Sequence, residues 1–184
     1  MAILKIARMG HPVLAGRAEP VSDPSAPQIR KLVADMIQTM VDADGAGLAA
    51  PQVHVPLRIV VFQAPDGRVN PALLQDEHFD DTAPLTVLIN PEIEILDAET
   101  EADWEGCLSV PGLRGLVGRP RAIQYRGRDL EGCEITRSAR GFHARVVQHE
   151  VDHLDGILYP QRMKDLRNLI FESEARHRAR NDAP

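Results

Sequence analysis

Gln148-His149-Glu150-Val151-Asp152-His153-Leu154-Asp155-Gly156 is the stretch on which the fold turns. Val146, Val147, Val151 and Leu154 place apolar residues at helical spacing across it, which predicts a helix over 142–154. Asp155-Gly156 stops that helix, with Gly156 free to take a left-handed cap. Residues four apart on a helix lie one above the other, so His149 and His153 can aim both imidazoles at one point. Glu150 can then reach a water bound to an ion held there. In an arbitrary helix the same letters describe two surface histidines and a solvated glutamate. Here the flanking valines and leucine imply partial burial, and burying these polar groups without a partner is costly. A metal ion is the natural partner, and Glu150 the natural general base of a metal-dependent hydrolase.

A catalytic tetrahedral site uses three protein ligands and keeps one position for water. Cys107 sits in Trp104-Glu105-Gly106-Cys107-Leu108-Ser109-Val110-Pro111-Gly112, where glycines and Pro111 let the backbone turn towards another element. A thiolate is a strong ligand for borderline metals. Cys133 falls in an expected strand, and burial is its better explanation. His11, His54, His78, His143 and His177 lack a partner at ligand spacing and read as structural or surface residues.

Outward from the metal helix, Ile29, Leu32, Val33, Met36, Ile37, Met40 and Val41 form an apolar stripe that predicts a helix over 23–41. Asp23 or Ser25 is the expected cap, and Gly45 lies just past the end. Strands are expected at 57–62, 85–89, 93–96, 122–125 and 131–136, with a hairpin turn at 127–130. Residues 64–84, rich in Pro, Asp, Asn and Gly, read as a surface loop. A third helix is expected from about 164, with Leu166, Leu169 and Ile170 on its apolar edge. Strands and helices segregate, which favours an α+β fold, and the 184 residues suffice for one compact domain, 1–184.

The net charge of −6 argues against a general nucleic-acid binder, DNA included. No apolar run approaches the ~18 residues of a membrane helix, and residues 1–8 do not read as a secretory signal. A cytoplasmic location is the default expectation.

Gly45-Ala46-Gly47-Leu48-Ala49-Ala50-Pro51-Gln52, Glu105-Gly106-Cys107-Leu108-Ser109 and the 148–156 stretch together resemble, in order and spacing, the signatures of the peptide deformylases. Gly10-His11-Pro12-Val13-Leu14 is similar to the family's usual opening. The resemblance implies removal of the N-terminal formyl group from new proteins that begin with formyl-methionine, with release of formate. It implies Cys107, His149 and His153 as metal ligands, Glu150 as general base and acid, and Fe2+ as the usual ion, which Zn2+, Ni2+ or Co2+ replaces on purification. The ion lowers the pKa of its bound water, which attacks the formyl carbon. The Gln52 side-chain amide and the Leu108 backbone N–H are then the oxyanion donors. It further implies antiparallel sheets packed around the metal helix, and a Glu105–Arg119 ion pair beside the metal loop. Each of those two, taken alone, reads more readily as a surface charge.

Substrate contacts are expected at Gly45, Ala46, Gly47, Gly106 and Arg114. The glycines let a peptide pair as an added strand, although Gly45 also suits a helix cap. Phe142 and Val146 line a methionine pocket on this reading and pack the core on the other. Beyond 174, Arg176, His177, Arg178 and Arg180 form a basic cluster. It reads either as a solvated tail or as a dock near the ribosomal exit tunnel, which would add the ribosome to the nascent chain as a partner. Two rivals share the motif. A zinc endopeptidase is disfavoured by an upstream cysteine ligand. A structural metal site needs a fourth protein ligand, for which Asp155 is the only nearby candidate.

Overall fold

The computed structural model describes residues 2–65 and 81–178. Most of the expected loop at 64–84, including His78, lies outside them. Helix α1, Pro27–Asp42, starts on a proline whose fixed φ suits the first helical position. Its buried face carries Ile29, Val33, Met36 and Met40. The expected cap is corrected: Ala26 occupies the cap position, and Asp23 forms a turn upstream, accepting from Ser25 N at 2.9 Å and Ser25 Oγ at 2.7 Å. Beyond the helix Asp44, not Gly45, takes the left-handed conformation, at φ 52. Gly45 N donates to Met40 O at 2.9 Å.

Strands β1 (Gly47–Ala49), β2 (Ile59–Ala64), β3 (Ala83–Cys107), β4 (Val110–Arg128) and β5 (Glu134–Arg140) pair antiparallel in that order. A sixth, β6 (Leu169–Phe171), adds to β4, giving one six-stranded sheet where several sheets were expected. The expected strands at 85–89 and 93–96 are two stretches of the 25-residue β3. Register shifts near Ile89, Ile95, Asp97 and Gly106 bend it, as bulges do. At the first bend Asn90 sits at φ 53, and its side-chain amide accepts from Val21 N and donates to Val21 O, both at 2.8 Å. The hairpin turn lies later than expected, where Asp129 Oδ1 accepts from Glu131 N at 2.9 Å and Cys133 N at 2.8 Å. Cys133 is therefore in the turn and exposed, not buried in a strand.

Strand β2 divides the interior. Val60 and Phe62 pack into a cluster with Leu88, Ile123, Tyr125, Val147 and Leu154. Ile59 and Val61 pack into another with Val33, Met36, Met40 and Ile89. Alternate residues of a strand face opposite sides, so α1 covers one face and helix α2, Gly141–Leu154, the other. His143 on α2 is fully buried, 3.0 Å from Tyr125 Oη, in keeping with a structural role.

The expected helix from 164 is corrected. After a short helix α3, Tyr159–Arg162, the chain makes a 3-10 turn at Leu166–Asn168, then β6, then a turn at Glu172–Glu174 and helix α4, Ala175–Arg178. Leu169 pairs with Gly115, Ile170 with Arg114 and Phe171 with Leu113. No described helix is long and apolar enough to cross a membrane.

Gly156 ends α2 at φ 74, and a Cβ there would lie 2.7 Å from Ala15 O. Gly156→Ala is expected to cost about 2 kcal/mol, lowering the melting temperature by about 4–8 °C. Gly156→Asn should fare no better in a thermal scan, because asparagine relieves only the backbone strain and keeps the clash. A wild-type melting temperature for the asparagine variant would refute the close contact.

Candidate metal centre

His149 and His153 emerge from the same face of α2 with ring centroids 5.0 Å apart. Cys107 ends β3, and a tight turn through Leu108 and Ser109 returns the chain to β4, with Cys107 paired to Val110. That turn delivers Cys107 Sγ to 3.3 Å from His153 Nε2. One ligand atom from each of Cys107, His149 and His153 lies within 4.8 Å of the others. Ser109 N and Gln52 Nε2 point at Sγ from 3.4 and 3.6 Å.

The histidines are held differently. His149 Nδ1 lies 2.8 Å from Glu105 Oε2. An ionised carboxylate only accepts, so Nδ1 carries the hydrogen and Nε2 is left as the ligand atom. Tyr159 stacks on the same ring at 6.2 Å. His153 Nδ1 is buried with no hydrogen-bond partner among the described residues, and burial favours the neutral imidazole, the form that can act as a ligand.

Glu105 anchors the site. It accepts from Arg119 Nε at 2.7 Å and Nη2 at 2.9 Å, and from Arg145 Nη1 at 2.8 Å. Burial alone would raise its carboxyl. The hydrogen bonds from Arg119 and His149, with the charge of Arg119, outweigh that and hold it well below the usual carboxylate range. Arg119 also donates to Asp152 Oδ2 at 2.7 Å, and Arg162 Nη2 reaches Asp152 Oδ1 at 2.6 Å. The expected Glu105–Arg119 pair is thus one link of a buried network. Sequence reasoning missed Arg145, Asp152 and Arg162. The signal was available for two of them: a charge set in a run of buried residues, as Arg145 and Asp152 are, requires a partner.

Glu150 is buried, and one carboxylate oxygen, Oε2, has no hydrogen-bond partner among the described residues. Burial pushes its carboxyl up to about 7. Gly47 makes room for it: a Cβ there would lie 2.6 Å from Glu150 Cδ. Gln52 comes from the 3-10 turn Ala50–Val53 and is clamped at both ends of its amide. Its Oε1 accepts from Ala49 N at 2.8 Å, and Nε2 donates to Ser109 Oγ at 3.1 Å.

These groups open onto a cleft of about 530 Å³. Gly45, Ala46 and Gly47 form part of one side, and Gly106, Leu108 and Arg114 line it from the β3–β4 hairpin. Phe142 and Val146 contribute from α2. Arg119 stays behind the site. Arg114 is engaged by Glu172, 2.9 Å away, a cleft residue the sequence did not single out. Asp155 is turned away, paired with Arg58 at 2.8 Å, and does not belong to the donor group.

The sequence model of the polypeptide deformylases matches residues 3–169. The chain belongs to that family. It is 50% identical to peptide deformylase 2 of Bordetella bronchiseptica over 163 residues, 88% of each chain. Identity to peptide deformylase 1 of Nitrosomonas europaea is 47% over 169 residues, 92% of each. A crystal structure of the Ehrlichia chaffeensis peptide deformylase superposes with a TM-score of 0.83 at 32% identity, covering 100% of both chains. The class I type b peptide deformylase of Acinetobacter baumannii, solved with Met-Ala-Ser bound, gives 0.77 at 35% identity over 88% of this chain and 99% of that one.

The Gly47–Glu150 contact makes a direct test of the site's geometry. Gly47→Ala should displace the Glu150 carboxylate while leaving the thiolate and both imidazoles in place. Metal content by elemental analysis should match the wild type, and formate release from a formyl-peptide should fall at least tenfold, about 1.4 kcal/mol. Unchanged turnover would mean that the carboxylate does not need its place against β1.

Proposed function

We propose that this cleft hydrolyses the formyl amide at the N-terminus of newly made chains beginning with formyl-methionine, releasing formate and a free amine. The observation that carries the reading is the buried oxygen of Glu150, without a hydrogen-bond partner among the described residues, beside the donor group of Cys107, His149 and His153 in a chain of the deformylase family. One thiolate and two imidazoles suit a single divalent ion with a position left open. Fe2+ is our reading for the cell, with Zn2+, Ni2+ or Co2+ able to take its place on purification. Such an ion, when bound, acidifies water and polarises a carbonyl.

The chain's own residues divide the remaining work. Glu150 takes a proton from the attacking water and returns it to the departing amine as the C–N bond breaks. Gln52 Nε2 and the Leu108 N–H donate to the oxygen that gains charge; one Nε2 hydrogen stays on Ser109 Oγ, which holds the amide in place, and the other exchanges its long contact with Cys107 Sγ for that oxygen. Phe142 and Val146 offer an apolar wall to the methionine side chain. Gly45, Ala46, Gly47 and Gly106 present backbone to the peptide, and Arg114 meets it further out. Glu105 and Arg119, joined by Arg145, fix the tautomer of His149. The Met-Ala-Ser found in the Acinetobacter relative supports a short peptide as the occupant.

The reaction belongs in the cytoplasm, on nascent chains. On this reading the basic residues Arg176, His177, Arg178 and Arg180 serve docking beside the ribosomal exit tunnel.

Anaerobically purified protein with its metal measured should release formate from formyl-Met-Ala-Ser and leave an unformylated internal peptide uncut. Cleavage of the internal peptide without formate would instead identify an endopeptidase. Glu150→Gln should keep the metal and lose about 10²–10⁴ of turnover, the usual worth of a positioned general base. Cys107→Ala should lose the metal on dialysis, whereas Cys133→Ala should retain it. Equal retention by the two variants would remove Cys107 from the ligand set.

A further inference from the structure

The cleft mouth carries charges that take no part in breaking the C–N bond. Glu105, Arg145 and Glu150 lie deep in the cleft and are buried. The exposed charges on its lining are Asp44, Arg114 and Glu172. Arg114 and Glu172 face each other at 2.9 Å, with about half of each side chain in solvent (49% and 57%).

The backbone sets up this pairing. Strand β6 registers Ile170 opposite Arg114 and Phe171 opposite Leu113. Glu172 follows β6 at once, two residues beyond Ile170, so it is the diagonal neighbour of Arg114 on the same face of the ladder. An extended peptide whose first residue sits by Glu150 advances about 3.3 Å per residue. Its later side chains therefore travel outward, towards this mouth.

We infer that Glu172 is a specificity-determining residue: by neutralising Arg114, its carboxylate stops the cleft from favouring peptides with acidic side chains after the formylated residue. The inference rests on the deformylase reading and adds a rule for which chains are accepted. With Glu172 present, an incoming carboxylate must compete for a guanidinium that is already paired. Without it, Arg114 presents an uncompensated positive charge. Without Arg114, the mouth goes from one net negative charge to two, on Asp44 and Glu172. The opposing surface is supplied by the C-terminal segment, so that segment forms part of the substrate site and is more than an appendage.

The test uses the metal-loaded full chain and formyl-Met peptides that carry Glu or Lys in turn at the second, third and fourth positions. The quantity read is the ratio of kcat/KM for the Glu peptide to that for the Lys peptide, which cancels any general loss of activity. Glu172→Gln should raise the ratio about two- to fivefold at one or more positions, the range expected of exposed charge pairs. Arg114→Gln should lower it by a similar factor. The double exchange Arg114→Glu with Glu172→Arg should return it towards the wild-type value, because the pair is neutral again. Each shift should shrink in 1 M salt, where the screening length falls to about 3 Å. A Glu172→Gln ratio equal to wild type at all three positions, or shifted towards Lys, would overturn the inference. Failure of the wild type to release formate from uncharged formyl-Met-Ala-Ser would count against the reaction itself.

Discussion

The Glu105 carboxylate is the interaction on which the site depends. It lies on β3 and receives donors from β4 through Arg119 and from α2 through both Arg145 and His149. A buried carboxylate is costly in isolation, and one buried arginine would only balance it. Here two guanidiniums and an imidazole N–H satisfy it, and Asp152, with Arg162 at its other oxygen, takes up part of the excess positive charge. The arrangement locks α2 to the long hairpin and fixes which nitrogen of His149 is free. Support for the fold and orientation of the His149 ring are thus the same set of bonds.

The rest of the architecture delivers groups to that lock from distant parts of the chain. Strand β2 is buried on both faces, so it partitions the interior and keeps α1 and α2 on opposite sides of the sheet. Against α2 lies β1, whose first residue is the glycine that admits Glu150. The adjoining 3-10 turn holds Gln52 with its amide already oriented. The hairpin tip brings Cys107. Helix, turn and hairpin meet around one buried point, and the cleft is the space they leave.

Much of this was legible in the sequence, because some patterns carry their own geometry. The i, i+4 histidines place two imidazoles together whatever surrounds them, and the glycine-flanked Cys107 needed only a turn to join them. Helix α1 and β2 were legible from periodicity and from a continuous apolar run. Other features were hidden for physical reasons. Strand β3 read as fragments because bulges interrupt its alternation and its outer half is exposed. Leu166, Leu169 and Ile170 fit a helical period, yet the last two belong to β6, since an open edge of β4 was available to pair with them. Cys133 read as buried until Asp129 drew its backbone into a turn. Arg145, Asp152 and Glu172 owe their roles to partners remote in sequence, which no local pattern displays.

Strand β6 has a consequence for how the protein comes into being. The cleft and the donor group beside it draw on residues 43–52, 104–114 and 142–153, and the rim is finished by residue 172. Until that last stretch has left the ribosome, β4 has an unpaired edge at Leu113–Gly115 and the cleft lacks one wall. Any earlier portion of the polypeptide is therefore an unfinished sheet, open to pairing with other chains. Completion of the cleft therefore waits on the pairing of β6 with β4.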